Sequence, residues 1–304
     1  MKIIFNLQNV GLGNNGGSRT LIKCADVLSG LGNEVVLHSN HKSRYRWHTI
    51  DKGVKMSLSN KIPNGDVIIA TGYGSVSSTV SSKISKKFYY IRGFELWNAK
   101  KKNLLNSYKS LKCIVNSSWL YDYLLSRGIK SDIVYAGLDF DIYYDKEEAR
   151  GDIIGGLFSK RHKTKRHSHV IDISKKCKKK LVMLGRECRN RPFSEINEFY
   201  NGIKVWVSTS ELEGFHNPPT EAAMCGCAIV CTDHHRGGVS DYAINNETAL
   251  IYPSGDLKFA AKCVMRLMND YKLRNKLDKN MKALLSSKIG DRESNMKRFM
   301  EVIS

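Results

Sequence analysis

The sequence predicts an α/β fold of two doubly wound, Rossmann-like domains, and three observations carry that expectation. Short apolar runs end in Gly-, Ser- or Asn-rich turns and lead into stretches with apolar residues at helical spacing, the alternation that builds parallel sheets. The pattern starts afresh after a polar stretch at 145–151 (DKEEARG), which reads as an interdomain linker. A chain of 304 residues with 41% hydrophobic content is long enough to fill two such cores.

The first unit opens with a strand at 2–8 (KIIFNLQ), a glycine-rich turn at 11–19 (GLGNNGGSR), a helix at 20–31 and a second strand at 34–38. In this first βα turn, Gly16 and Gly17 would let backbone approach a diphosphate closely. Buried strands are expected at 66–70, ending in TGYG, and at 87–91, ending in RGFELW with Glu95 just past the strand. Ligands in open α/β sheets gather beyond the C-terminal strand ends. A strand at 113–116 and a helix from Ser117 to Arg127 repeat the pattern. The second unit opens on Ile153 and Ile154 running into Gly155-Gly156, followed by the basic tract 160–167 (KRHKTKRH). A strand at 181–184 ends at Gly185 and Arg186, where a nucleotide base would pack on backbone; helices fill 257–285. The segment 291–303 is amphipathic through Met296, Phe299, Met300 and Ile303.

Charge is the second informative global feature: 49 Lys and Arg against 29 Asp and Glu give +20. Self-repulsion of that size implies an anionic partner larger than a nucleotide. No run approaches the roughly 20 apolar residues of a membrane span, and the start lacks the pattern of a signal peptide, so a cytoplasmic protein is expected. Cys24 and Cys263 fall in helical patterns, and Cys113 and Cys231 in strands. They read as small buried hydrophobes. Cys225, Cys227 and Cys231 match no common zinc spacing, so no metal site is expected.

The most informative segment runs from Glu213 to Glu221 (EGFHNPPTE) into AAMCGCAIV. Thr220 and Glu221 suit a helix start, Gly226 its end, and 228–231 a strand. A helix N-terminus favours an anion, and two carboxylates beside it suit a ligand that also carries hydroxyls, the combination found in a nucleotide sugar.

These residues resemble the donor-binding motif of retaining glycosyltransferases of GT-B architecture, the large family of glycosyl transferases group 1. The first Glu of the Glu-Gly-Phe start and the second Glu stand eight positions apart (221 − 213 = 8). The resemblance implies two domains facing a cleft: an acceptor-side domain at 1–145, a nucleotide-sugar-binding domain at 146–286, and a helix at 287–304 crossing back to the first. It implies that Glu213 contacts the donor sugar, with Gly214, Phe215, His216 and Asn217 lining the same site, and that Glu221 takes the ribose hydroxyls. Lys165, or else Arg161, would neutralise the diphosphate without a metal ion or any other cofactor, and Glu95 would occupy a catalytic position. The donor is expected to be UDP- or GDP-linked.

The acceptor expected first is a hydroxymethylated base in DNA, because the compact, lysine-rich chain resembles phage-type DNA-modifying enzymes in size and composition; such a protein would work in the host cytoplasm. Lysines at 83, 86, 87 and 100–102, Arg92 and the basic region 160–180, with Tyr45, Trp47, Tyr89 and Trp97 near in sequence, suit a polyanion. A lipid-linked glycan at an anionic membrane surface is the alternative, and it would call for a concentrated basic and apolar patch on the first domain. An inactive nucleic-acid-binding relative is the third reading.

Overall fold

The computed structural model describes residues 1–13, 15–40, 49–96, 99–160, 162–187 and 193–304. Tyr45, Trp47, Trp97 and Arg161 lie outside the described residues. The chain divides into two compact units, one formed by Met1–Gly137 with Arg292–Ser304 and one by Leu138–Asp291. The first boundary therefore falls after Gly137 rather than at 145. Leu138 already belongs to the second unit, donating its N–H to the Gly290 carbonyl and bridging to Asp291.

The first unit is a seven-stranded parallel sheet. Its elements are β1 (Lys2–Asn6), α1 (Gly16–Gly30), β2 (Glu34–Ser39), β3 (Val54–Leu58), β4 (Val67–Ala70), α2 (Tyr73–Val80), β5 (Lys86–Ile91), α3 (Lys101–Lys109), β6 (Lys112–Val115), α4 (Ser118–Leu125) and β7 (Ser131–Ile133). The strand order β3-β2-β1-β4-β5-β6-β7 reverses direction between β1 and β4. The central strands are apolar on both faces, as a sheet covered by helices requires: Ile3, Ile4, Val67, Ile68 and Ile69 are fully buried.

The second unit carries a five-stranded parallel sheet. It contains β8 (Ile153–Leu157), α5 (His167–Cys177), β9 (Lys180–Leu184), α6 (Phe193–Asn201), β10 (Val205–Ser208), α7 (Asn217–Met224), β11 (Ala228–Thr232), β12 (Leu250–Tyr252), α8 (Leu257–Asn269) and α9 (Tyr271–Leu284). Its order β12-β11-β10-β8-β9 reverses between β8 and β10. Gly155 and Gly156 lie inside β8, not in a turn after it. A Cβ on Gly155 would stand 2.7 Å from Ile203 and Trp206, and one on Gly156 2.6 Å from Val170, so both faces of the strand are packed against its neighbours. The final helix, α10 (Arg292–Ile303), belongs to the first unit, where Phe299 packs against Phe5 and Tyr90 at ring-centroid distances of 6.3 and 5.2 Å.

Two helix starts differ from the sequence reading. Helix α1 begins at Gly16, with the Asn15 side chain accepting the Ser18 N–H at 3.0 Å, so the glycine pair forms the first helical turn. Helix α7 begins at Asn217 with Pro218 and Pro219 in its first turn, ahead of Thr220 and Glu221. Among the described residues no helix is long and apolar enough to cross a membrane.

Candidate functional site

In the second unit, the loops that follow β8 and β10 meet at the point where the strand order reverses, the place where open α/β sheets hold ligands. The two loops are joined by hydrogen bonds. Thr209 Oγ1 donates to the Lys165 and Arg166 carbonyls at 2.9 and 3.1 Å, and the Glu211 N–H donates to the Thr164 carbonyl at 2.8 Å. Arg166 Nε donates to Glu211 Oε2 at 2.8 Å.

This joining brings Lys165 onto Glu213. The Lys165 ammonium donates to Glu213 Oε1, the two side chains being 20% and 11% exposed. The Glu213 N–H donates to the Arg236 carbonyl at 2.9 Å, which anchors the loop. Two residues 48 positions apart, each expected to meet the donor, therefore stand in one cluster. His216 is its third member. Its Nε2 lies 3.5 Å from Glu213 Oε1, its Nδ1 is 3.0 Å from the Ser208 hydroxyl at the end of β10, and its carbonyl accepts from Tyr242 Oη at 2.8 Å. The edge of Phe215 packs against the Tyr242 ring, at a centroid distance of 5.5 Å.

Burial works against ionisation of Glu213, but the attraction of His216 once that ring is protonated in acid, and the Lys165 charge and hydrogen bond throughout, more than offset it and hold the carboxyl below its ordinary range. His216 is pushed down to about 4 by burial, the attraction of Glu213 only partly offsetting it, so at neutral pH the imidazole is uncharged and the ion pair is Lys165 with Glu213. Both shifts make the unit acid-labile. An unfolded chain takes up a proton at His216 near its ordinary pKa of 6.5 and the folded one only near 4, so stability is full above 6.5 and falls as pH drops between those values. The loss attributable to this ring is roughly 3 kcal/mol. Glu213 adds a further loss below its ordinary 4.5. Denaturant titrations of His216→Asn at a series of pH values are expected to show that slope largely flattened above pH 4.5; an unchanged slope would place the acid sensitivity elsewhere.

Glu221 sits within α7, where its Oε2 accepts from the buried Tyr200 hydroxyl at 2.8 Å. The start of α7 is a weaker anion site than its sequence indicated, because Pro218 and Pro219 occupy two of the first four positions and have no N–H to offer. Gly185 ends β9 with φ +87°, and a Cβ there would stand 2.8 Å from the Phe158 carbonyl oxygen; Arg186 beside it is exposed. Gly214 is buried, and its carbonyl oxygen would lie 2.7 Å from a Cβ on Gly238. Asn217 is the first residue of α7, and the Thr220 hydroxyl donates to its carbonyl at 2.8 Å. Cys225, Cys227 and Cys231 are buried thiols, and burial pushes Cys227 and Cys231 up to about 12. Among the described residues no three His, Cys, Asp or Glu side chains converge as metal ligands.

In the first unit, Gly16 and Gly17 open α1 at the reversal between β1 and β4, and a Cβ on Gly16 would meet nothing within 4 Å. Arg92, expected only as one of the basic residues suited to a polyanion, donates to the Gly17 carbonyl and, at 2.9 Å, to the Thr71 carbonyl, tying two loops at that reversal; no spacing or motif marks that role. Glu95, expected in a catalytic position, is 8% exposed and structurally engaged: it accepts the Tyr73 N–H at 3.0 Å and the Tyr89 hydroxyl at 3.2 Å. Helix α2 has glycine as its N-cap and no capping side chain of its own, and Glu95 supplies that acceptor from another loop.

Two units, each on a parallel doubly wound sheet, are the GT-B architecture. Residues 174–284, which lie within the second unit, match the family described as Glycosyl transferases group 1. Over 90 residues, 30% of this chain, the sequence is 32% identical to the capsular polysaccharide biosynthesis glycosyltransferase CapM of Staphylococcus aureus, and the match spans 23% of that protein's length. Among solved structures, Anabaena Alr3699/HepE in complex with UDP-glucose is similar over 100% of this chain and 99% of its own, with a TM-score of 0.81 and 16% identity. An alpha-glucosyltransferase in complex with UDP and a 13-mer DNA containing an HMU base is similar over 99% and 98%, with a TM-score of 0.69 and 12% identity.

Proposed function

We propose that this chain is a retaining glycosyltransferase that moves a sugar from a UDP- or GDP-linked donor to a hydroxyl of a lipid-linked glycan. The observation that carries the reading is the pairing of Lys165 with Glu213 at the switch point of the second sheet, with Glu221 on the helix that follows. Lys165 stands next to Arg166, the N-cap of α5, so a cation and an anion-favouring helix end adjoin each other. Together they neutralise the diphosphate as it leaves, which removes the need for a divalent ion; Arg161 would share that task. Glu213, ionised at neutral pH, faces the donor sugar and stabilises positive charge growing at its anomeric carbon. Glu221 takes the ribose hydroxyls, and Gly185 with Arg186 borders the base. Gly16 and Gly17 approach the donor from the first unit.

For the acceptor, the sequence puts modified DNA first and a lipid-linked glycan second. The likeness to a capsular polysaccharide enzyme supports the lipid-linked glycan. Modified DNA is the second reading, supported by the +20 charge and by the likeness to the alpha-glucosyltransferase.

The test offers the purified protein a panel of nucleotide sugars, with vesicles carrying lipid-linked oligosaccharide in one arm and a hydroxymethylpyrimidine duplex in the other, each with and without excess EDTA. Sugar transfer to the lipid-linked glycan, unaffected by chelator, is the expected result. Incorporation only into the modified duplex would return the acceptor to DNA. Loss with EDTA and recovery with manganese would remove Lys165 from the diphosphate, and nucleotide binding without turnover to any acceptor would leave an inactive relative.

A further inference from the structure

A buried tyrosine rests its hydroxyl on a partner, and the bond also fixes the group that accepts it. Tyr200, in the last turn of α6, is 0% exposed and meets Trp206 of β10 and Tyr143 edge to face, at centroid distances of 5.3 and 6.0 Å. Its hydroxyl donates to Glu221 Oε2 at 2.8 Å. Burial and the charge of Glu221 push that hydroxyl well above its ordinary value of 10, so it keeps its proton and stays a donor. The two helices that carry the pair are fastened at their ends by one guanidinium. Arg150 Nη1 donates to the Asn201 and Ile203 carbonyls at the end of α6, at 3.0 and 3.2 Å, while Nη2 donates to the carbonyl of Cys225, the C-cap of α7. Two thiols add to the fastening: Cys225 Sγ donates to Asn197 Oδ1 at 3.0 Å, and Cys227 Sγ to the Tyr200 carbonyl at 3.2 Å.

From this arrangement we infer that Tyr200 is a positioning residue for the donor: it holds the Glu221 carboxylate in one orientation for the two ribose hydroxyls, and the site thereby selects ribonucleotide sugars over donors whose ribose lacks a hydroxyl. The inference rests on the reading that Glu221 takes the ribose hydroxyls, and it names the class of donor that follows from that reading. A carboxylate offers about four acceptor positions, so it can serve a tyrosine and a vicinal diol at once. Glu221 is half-buried, and a glutamate that must stop turning when its ligand arrives gives up side-chain freedom at that moment. Tyr200 removes the freedom beforehand, leaving more of the hydrogen-bond energy for the donor. A ribose without the hydroxyls would face a fixed, partly desolvated carboxylate with nothing to donate to it. Sites built to hydrogen-bond a hydroxyl reject the analogue lacking it far more strongly than apolar pockets reject a missing methylene.

Calorimetric titration of the full chain with UDP and GDP, and with their 2′-deoxy and 2′,3′-dideoxy counterparts, tests it. Wild type is expected to bind the ribonucleotide on the order of 100-fold more tightly than the dideoxy form, with the 2′-deoxy form between them. Tyr200→Phe keeps the ring and its packing, so it should fold. Titrated below its unfolding midpoint, it should bind the ribonucleotide about tenfold more weakly and the dideoxy nucleotide as wild type does. In turnover, its donor KM should rise with kcat little changed. A merely structural role would weaken both nucleotides alike, and that result overturns the proposal. So does a Tyr200→Phe protein that keeps the full wild-type preference for the ribonucleotide, although the Glu221 assignment would then survive. The wild-type series is decisive without any variant: equal binding of ribo- and dideoxy nucleotides overturns both the proposal and the Glu221 assignment. Failure of wild type to bind any of these nucleotides would overturn the glycosyltransferase reading itself, and this inference with it.

Discussion

Glu213→Gln is expected to lower kcat on the order of 100-fold or more, with donor affinity changed far less. The charge on Glu213 is maintained against burial by its neighbours, as the proposed role beside the anomeric carbon requires. The amide keeps the size of the side chain and still accepts from Lys165, so the protein should fold with a lowered unfolding midpoint, and a kcat measured well below that midpoint will report chemistry rather than folding. Glu221→Gln divides its effect differently. The amide can still accept from Tyr200, while contact with two ribose hydroxyls weakens, so the donor KM should rise more than kcat falls. Wild-type turnover in Glu213→Gln, or equal effects of the two variants on kcat and KM, would remove these assignments.

Gly226→Ala is expected to destabilise the second unit by at least about 3 kcal/mol, measured by denaturant unfolding. Gly226 has φ +81° just past α7, and its N–H donates to the Ala223 carbonyl at 2.9 Å. A Cβ there would stand 2.6 Å from Arg150 Nη2 and also run into the Asp145 carboxylate. Arg150 is committed at that point, donating to Asp145, to the Cys225 carbonyl and, at 3.0 Å, to the Asn201 carbonyl, so neither partner yields without breaking other bonds. Gly16→Ala provides the contrast. With open space around its Cβ and a position in the first turn of α1, it should leave stability equal or raise it by about 0.5 kcal/mol. If backbone at Gly16 approaches the diphosphate, the same change will weaken donor binding in a protein that folds normally.

The sequence made most central strands legible because strands buried on both faces are written as unbroken apolar runs: β1, β4, β6 and β11 all fall where expected, within a residue or two at their ends. It did not reveal β3 and β7. These are edge strands, partly exposed, and their sequences VKMSL and SDI carry no such run. The glycines of β8 hid its length: the apolar run stops at Ile154, whereas the strand continues to Leu157. At the site, the spacing of Glu213 and Glu221 was readable, and so was a basic residue opposite them; that Lys165 reaches Glu213 depends on two loops brought together by strand order, which no local pattern records. Glu95 shows the converse. A polar residue just past a strand end looks functional, and only the missing N-cap of α2 reveals that a carboxylate is needed there for structure.

The placement of α10 bears on how the chain comes off the ribosome. Met296, Phe299 and Ile303 are wholly or almost wholly buried in the same core as Ile3, Phe5 and Leu21, and the Phe5 and Phe299 rings that pack together stand 294 positions apart (299 − 5). The first sheet therefore waits for a helix made after the whole of the second unit, while Leu138–Asp291 is one continuous stretch. Domains commonly mature in the order of synthesis; here the later unit closes first. Until residues 292–303 arrive, the earlier one keeps an apolar flank of α1 open, the interval in which a chaperone has most to bind.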